Sequence, residues 1–273
     1  MDLQLQDKVA IITGGAKGIG EAITRAFAAE GAVAIILGRN RDEAAKLIAG
    51  IAKLGQRADS FHVEMTDEAQ VRDAVAAIAK KYGRMDIIVN NAGANDGIGL
   101  RHTPQEFAGS LQRNLVHCFV LVHHALDHLI ASKGCIVNIS SKTAVTGQGG
   151  TSGYVAAKGA INALTREWAL DLSRFGIRVN CVVPAEVITP LYQRWLDTRP
   201  DPAAALEKVN LTVPLGRRTT TVQEIADTVV FVASPRSSHT TGQILFVDGG
   251  YVHFDRAFTA DTDGPATIVP EPR

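Results

Sequence analysis

Tyr154 and Lys158 stand four residues apart in a stretch of strongly helical composition. On an α-helix that spacing puts both side chains on one face, a turn apart. A free tyrosine is a poor base at neutral pH, but a neighbouring ammonium favours its phenolate. Ser141 lies thirteen residues before Tyr154, at the end of the apolar run Cys135–Ser140, and Asn114 lies in a long helical pattern before that run. Phenol, ammonium, hydroxyl and amide together can hold an alcohol or carbonyl oxygen and move its proton. Taken singly, each has an ordinary structural explanation: a buried tyrosine hydroxyl, a lysine with its stem packed on apolar surface, a helix cap.

A second chemical feature lies near the N terminus. The run Thr13-Gly14-Gly15-Ala16-Lys17-Gly18-Ile19-Gly20 follows an apolar strand and opens a helical pattern. Glycines there permit a tight turn, and a helix N terminus offers unpaired N–H groups and a positive dipole end, which suits a pyrophosphate. The spacing is T-G-x-x-x-G-x-G, because Ala16 and Ile23 stand where G-x-G-x-x-G wants glycine. The next strand ends in Leu37-Gly38-Arg39-Asn40, with no carboxylate to accept from a ribose 2′-hydroxyl. Arg39, with Lys17 from the glycine loop, suits a 2′-phosphate instead. NADP is therefore the expected cofactor, with NAD as the alternative.

Short β-branched runs that could carry these groups recur along the chain: Val9–Thr13, Ala32–Leu37, Ser60–Val63, Ile87–Asn90, Cys135–Ser140, Arg178–Val183 and Ile244–Val247. They lack polar alternation, as parallel strands covered on both faces should. Helical patterns fill the gaps, at Ile19–Glu30, Arg41–Leu54, Asp67–Tyr82, Pro104–Ala131, Tyr154–Phe175 and Val222–Ala233. The alternation predicts an α/β fold: a doubly wound, parallel, seven-stranded sheet with helices on both faces, a Rossmann fold in one domain over residues 1–258. Residues 185–218 form a long insertion with four prolines after a strand's carboxyl end, the place for a substrate lid. Residues 259–273 read as a polar, Pro-rich surface tail.

Lys+Arg and Asp+Glu balance at 28 each in 273 residues, so no global field recruits nucleic acid or an anionic membrane. No apolar run looks long enough to span a bilayer, and the polar Met1–Lys8 stretch carries no export signal. Cys118, Cys135 and Cys181 lack C-x-x-C spacing, which suits small buried thiols in a reducing cytoplasm. His124 and His128 have i, i+4 spacing but no third ligand beside them, and read as helix-face or subunit-interface residues, so no metal is expected.

In order and spacing, Thr13–Gly20, Asn90-Asn91-Ala92-Gly93, Asn114, Ser141, Tyr154-x-x-x-Lys158 and Val247-Asp248-Gly249-Gly250 resemble the short-chain dehydrogenase/reductases, in their compact single-domain branch. The resemblance implies hydride transfer with a nicotinamide cofactor. Tyr154 would act as acid/base, Lys158 would hold the nicotinamide ribose, Ser141 would orient the substrate oxygen, and Asn114 would fix a water linking Lys158 to solvent. It implies cofactor contacts from Gly14, Lys17, Gly18, Ile19, Gly20, Arg39, Glu64, Met65, Asn91, Ala92, Gly93, Tyr154, Lys158, Pro184, Val187 and Thr189. It also implies a homotetramer. Ala185 stands where the family usually has glycine.

Fold and tetrad do not choose a substrate. The variable segments around them are polar: Asn95 and Asp96, Lys142 and Gln148, then Glu186, Tyr192 and Trp195 in the lid. Carboxylates and amides suit vicinal hydroxyls and an aromatic face suits a sugar ring, whereas an acyl or steroid pocket would be apolar. With Ser141 and Tyr154, these residues form the expected substrate set. Asn95, Asp96 and Gln148 could equally build turns. The segments Asn95–Leu100, Ser140–Tyr154, Pro184–Leu191, Val213–Arg218 and Ser238–Arg256 resemble the bacterial L-fucose dehydrogenases, which implies oxidation of an aldose at C1. The alternatives are a 3-oxoacyl-thioester reductase and a non-catalytic dinucleotide-binding sensor or scaffold.

Overall fold

Every β-branched run becomes a strand of one parallel sheet. The computed structural model describes residues 1–254, so the expected tail at 259–273 lies outside the described residues. The strands are β1 (Val9–Thr13), β2 (Val33–Gly38), β3 (Arg57–His62), β4 (Ile87–Asn90), β5 (Cys135–Ile139), β6 (Arg178–Pro184) and β7 (Ile244–Val247). Their order in the sheet is β3-β2-β1-β4-β5-β6-β7, all parallel. The chain leaves β1 toward one edge and returns at β4 to build toward the other. Such a reversal opens a crevice beyond the carboxyl ends of β1 and β4, where open α/β sheets bind ligands.

Two apolar layers hold the sheet. On one face, Ala10, Ile12, Ala34 and Ile36 pack against Ile23 and Phe27 of α1 (Gly18–Ala29), Leu47 and Ile51 of α2 (Arg41–Ala52), and Ile225 and Val229 of α9 (Val222–Ala233). On the other, Ile11, Ile35 and Ile88 meet Val71 and Val75 of α3 (Glu68–Tyr82), Leu121 and Ala125 of α5 (His117–Ser132), and Ile161 and Trp168 of α6 (Ser152–Asp171). Each large aliphatic side chain buried this way contributes roughly 1.5–3 kcal/mol.

Four features differ from the expectations. First, β3 begins at Arg57, not Ser60, and is partly exposed along its length. It is the sheet's edge, so Arg57 and Asp59 can face water and the covered-on-both-faces pattern fails there. Second, the helix expected over Pro104–Ala131 is three pieces: α4 (Pro104–Leu111), a π-helical turn at Gln112–Val116, and α5. Third, the whole run Pro104–Ser132 is long and apolar enough by composition to cross a membrane, contrary to the reading that no run was. Its Cys118, Leu121 and Leu129 are buried in the core. Fourth, the insertion is not a bare loop but two short helices, α7 (Pro190–Asp197) and α8 (Pro202–Leu211). Each has proline in its first turn and a side-chain cap, Thr189 and Asp201.

Polar groups pin the layers in register. Asn90 at the end of β4 donates to Asn138 Oδ1 at 2.8 Å, and Asn138 donates to Thr165 Oγ1 of α6 at 2.9 Å, all buried. At the opposite end of the sheet, buried Asp86 accepts from Val9 N at 2.9 Å, from Arg84 at 2.6 and 2.8 Å, and from Lys8 at 3.2 Å. Burial opposes the Asp86 charge, but Arg84, the Val9 N–H and Lys8 outweigh it and hold the carboxyl below its usual range. A depressed folded-state pKa stabilises the fold above the unfolded value, near ~3.9, and that contribution is lost as pH falls through the folded value. Asp86→Ala should therefore lower stability by about 1–3 kcal/mol at pH 7, because the Val9 N–H is left unpaired. The difference from wild type should shrink on acidification, as followed by urea unfolding at several pH values. A variant difference that does not change with pH would overturn this account.

Candidate active site

Between β1 and α1 the chain turns through Gly14 and Gly18, at φ +65° and +56° in the left-handed region. Gly20 has no room for a side chain, since a Cβ there would sit 2.6 Å from Asn91 Nδ2 and still closer to the Gly14 carbonyl. Thr13 binds the neighbouring strand end: its Oγ1 accepts from Asn91 N and Ala92 N at 2.9 Å each, while Asn91 Nδ2 donates to Thr13 O at 2.9 Å. No side chain caps the α1 N terminus. Its N–H groups and dipole are thus left for an anion. Gly14, Lys17, Gly18, Ile19, Gly20, Arg39, Glu64, Met65, Asn91, Ala92, Gly93, Pro184, Val187 and Thr189 line one cleft of about 1070 Å³, together with Ser141, Tyr154 and Lys158. A glycine cradle, an open helix terminus and a cleft of this size fit a dinucleotide.

Of the four expected catalytic groups, Ser141, Tyr154 and Lys158 line the cleft and Asn114 is buried behind Gly93. Tyr154 is in the first turn of α6 and half-buried. Lys158 lies one turn on, 3% exposed, with Nζ 5.5 Å from the Tyr154 ring centroid. Lys158 Nζ donates to Ile139 O at 2.8 Å, and Ser140 Oγ donates to Lys158 O at 3.0 Å, which joins β5 to α6. Ser141 caps the short 3₁₀ turn Lys142–Ala144, and its Oγ accepts from Thr143 Oγ1 at 3.1 Å. Asn114 sits in the π turn, fully buried; its Oδ1 accepts from Ala94 N at 2.8 Å and its Nδ2 donates to Ser110 O at 3.1 Å. A Cβ on Gly93 would lie 2.9 Å from Asn114 Oδ1 and 3.5 Å from Lys158 Nζ, so that glycine is where the two side chains meet. Burial, then the Lys158 charge, pushes His117 down to about 4, so this neighbour stays neutral. Burial raises Cys118 and Cys181 to about 12 and Cys135 to about 11, which leaves all three as inert thiols.

The expected substrate residues divide. Ser141, Tyr154 and Asn95 line the cleft. Asn95 Oδ1 also closes a turn by accepting from Gly97 N at 3.2 Å. Lys142, Glu186, Tyr192 and Trp195 gather beside it in a separate cluster. Lys142 is paired with Glu186, both largely buried, and its Nζ lies 3.9 Å from the Tyr251 ring. Tyr192 OH donates to Glu186 Oε2 at 2.8 Å, and Trp195 packs edge-on against Tyr192. Burial, then the Glu186 carboxylate, pushes the Tyr192 phenol well above its ordinary range, so it remains a donor.

Two substrate expectations are corrected. Asp96 is held by Arg113 at 2.6 Å and Ser110 Oγ at 3.0 Å and does not line the cleft, so its carboxylate fastens the loop to α4 and the π turn. Gln148 is exposed and does not line the cleft. The premise for NADP is corrected too. Carboxylates do stand beside both cations: Glu64 Oε2 is 3.0 Å from Arg39 Nη1, and Glu43 Oε1 is 3.1 Å from Lys17 Nζ. Glu43 lies three residues into the next helix and Glu64 beyond β3, outside the strand end that the sequence pattern examines. Sequence reading also missed Arg113, Leu191 and Arg194, which line the cleft, and Tyr251. The i, i+3 spacing of Leu191 and Arg194 marks a shared face of α7, but not which face meets the cleft.

Residues 14–252 match the family described as enoyl-(acyl carrier protein) reductase. An L-fucose dehydrogenase of Rattus norvegicus is 38% identical over 245 residues, 89% of this chain and 88% of that one. A 3-oxoacyl-(acyl-carrier-protein) reductase of Thermotoga maritima is 34% identical over 92% of this chain and 100% of its own. Among solved structures, Cj0485 dehydrogenase superposes with a TM-score of 0.89 at 43% identity, over 94% of this chain and 98% of that one. The Thermoplasma acidophilum aldohexose dehydrogenase superposes with a TM-score of 0.84 at 31% identity, over 92% and 96%.

The crowding at Gly20 makes a direct test of the cradle. Gly20→Ala must move the Gly14 carbonyl and the Asn91 amide together. It should weaken NADPH and NADH binding by about tenfold or more, measured by titration of protein fluorescence. Unchanged affinity would mean that the loop does not hold the dinucleotide.

Proposed function

The chain belongs to the short-chain dehydrogenase/reductase family, and on that premise we propose that it oxidises the anomeric C1 hydroxyl of an aldose to the aldonolactone with NAD(P)+. L-Fucose and sugars of related configuration are the proposed substrates. The observation that carries the substrate class is the Lys142–Glu186–Tyr192 cluster beside Ser141. Its charged and phenolic groups support a polar substrate, since an acyl chain would need apolar walls. The relatives named as L-fucose and aldohexose dehydrogenases support the same reading. A reducing cytoplasm and a homotetramer belong to the proposal as well.

The glycine loop and α1 N terminus would hold the pyrophosphate, Asn91–Gly93 and Thr189 the nicotinamide half, and Lys158 the ribose hydroxyls. When bound there, an oxidised nicotinamide would supply the acceptor for the C1 hydride. Tyr154 takes the proton from the C1 hydroxyl as the C1–O bond becomes a carbonyl. Ser141 donates to the same oxygen and fixes its direction. Lys158 keeps a positive charge beside the phenol. Asn114, in the π turn, would fix a water that links Lys158 to solvent. Glu186, already tied to Lys142 and Tyr192, has lone pairs left to accept from ring hydroxyls. The Thermotoga relative favours a second reading, reduction of a 3-oxoacyl thioester. A non-catalytic dinucleotide sensor would leave the tetrad without work.

Two experiments decide among these. An aldose panel with NAD+ and NADP+, followed by absorbance of the reduced cofactor, should show turnover of L-fucose, L-galactose and D-arabinose. Reduction of an acetoacetyl thioester without any aldose turnover would move the function to the second reading, and no turnover of either to the third. Tyr154→Phe should abolish oxidation while cofactor titration stays near wild type, since only the phenolic oxygen is lost. Glu186→Ala should cost about 2–4 kcal/mol in kcat/KM for L-fucose if it bonds a ring hydroxyl. A near-normal value would remove Glu186 from the substrate site.

A further inference from the structure

The end of the cleft away from Tyr154 holds two ion pairs that the reaction does not use. Arg39, one residue past β2, donates from Nη1 to Glu64 Oε2 at 3.0 Å. Glu64 is not a loose surface carboxylate. Its Oε1 accepts from Thr66 N at 3.1 Å and from Thr66 Oγ1 at 2.9 Å, and its own N–H donates to Gln70 Oε1 at 2.9 Å. Gln70 in turn bonds Asp67, the N-cap of α3, at 2.8 Å. The second pair joins Lys17 of the glycine loop to Glu43 in the first turn of α2.

The anion is the anchored member of the first pair. The Arg39 side chain is 73% exposed and that of Glu64 35%. Partial burial opposes the Glu64 charge, but Thr66 and Arg39 outweigh it and hold the carboxyl below its usual range, so the group is ionised at neutral pH. A dinucleotide with a free 2′-hydroxyl leaves both pairs intact. A 2′-phosphate brings further negative charge. It competes with Glu64 and Glu43 for Arg39 and Lys17, and Glu64 is a like charge beside the same guanidinium.

We propose that Glu64, seconded by Glu43, sets the balance between NAD(H) and NADP(H): it is a fixed counter-ion that occupies Arg39, so two cations that would select a 2′-phosphate do so only weakly and the enzyme uses both cofactors. The inference rests on the cofactor cleft and not on the sugar. On this reading, Arg39 and Lys17 are not enough by themselves to set the preference for NADP.

The test is calorimetric binding to the full chain of NAD+ and NADP+, and of the fragments 5′-AMP and 2′,5′-ADP, with no sugar present. Wild type should bind the two dinucleotides within about tenfold of each other. Glu64→Gln should shift the ratio of Kd values about tenfold toward NADP+ and 2′,5′-ADP, the scale of one charge-assisted hydrogen bond set free. Arg39→Gln should shift the ratio the other way. In the double variant, the Glu64→Gln effect should be smaller than in wild type, because there is no guanidinium left to release. The proposal is overturned if Glu64→Gln leaves the ratio unchanged, or weakens both dinucleotides alike as a merely structural carboxylate would. If that variant does not fold, Glu43→Gln, on an exposed pair, decides by the same criterion with a smaller shift. Failure of the aldose reading would leave all of these fragment measurements standing.

Discussion

An ammonium group almost wholly removed from water organises this molecule. Lys158 is 3% exposed, and a buried charge is tolerated only where hydrogen-bond partners are fixed in place. Of its three donors, one goes to the Ile139 carbonyl at the end of β5. Lys158 also lines the cleft, which leaves room for further acceptors beside it. Meeting that demand requires the end of β5, the first turns of α6, the turn at Gly93 and the π turn at Asn114 to arrive at one point. Gly93 must have no side chain there, because a Cβ would press on Asn114 Oδ1. The π turn rotates Asn114 inward, where its Oδ1 receives the Ala94 N–H.

The buried ladder from Asn90 through Asn138 to Thr165 serves the same convergence from below. It ties β4, β5 and α6 by directional bonds, where apolar packing alone would let them slide. Unpaired amides at those positions would be costly, so the ladder admits one register. Catalytic geometry at the carboxyl ends of the strands is thus inherited from polar contacts inside the sheet. The insertion over residues 185–218 is joined to the same frame. Leu215 N donates to the Gly249 carbonyl at 2.9 Å, and Thr220 N to the Glu186 carbonyl at 2.9 Å.

Around this centre, four cations near the cleft are paired with carboxylates from other segments: Arg39 with Glu64, Lys17 with Glu43, Arg113 with Asp96, Lys142 with Glu186. A paired ion acts differently from the free ion that a motif suggests. Asp96 becomes a fastener for α4, Arg39 a guanidinium already occupied, and Glu186 a carboxylate preset by Lys142 and Tyr192. Selectivity for cofactor and substrate then depends on which partner a ligand can displace, and so on the anchoring of each pair more than on its net charge.

Much of this was determined by local sequence. The apolar runs of the inner strands set them because β-branched, unalternating segments are best satisfied inside a parallel sheet, whereas the edge strand β3 does not keep that pattern. The glycines of Thr13–Gly20 set the phosphate turn because the Gly20 position leaves no space for a Cβ. The four-residue step from Tyr154 to Lys158 set their common face because helix periodicity is local. What only the tertiary structure decided was everything that depends on a partner distant in the chain. Glu64 reaches Arg39 across 25 residues and Glu186 reaches Lys142 across 44. β3 became an edge because no strand among the described residues pairs with its outer side. The π turn appeared inside a helical pattern that continues without interruption in composition. Periodicity reports which face of an element is apolar, while side-chain pairing depends on where separate elements are carried by packing, and no spacing rule along one chain records that distance.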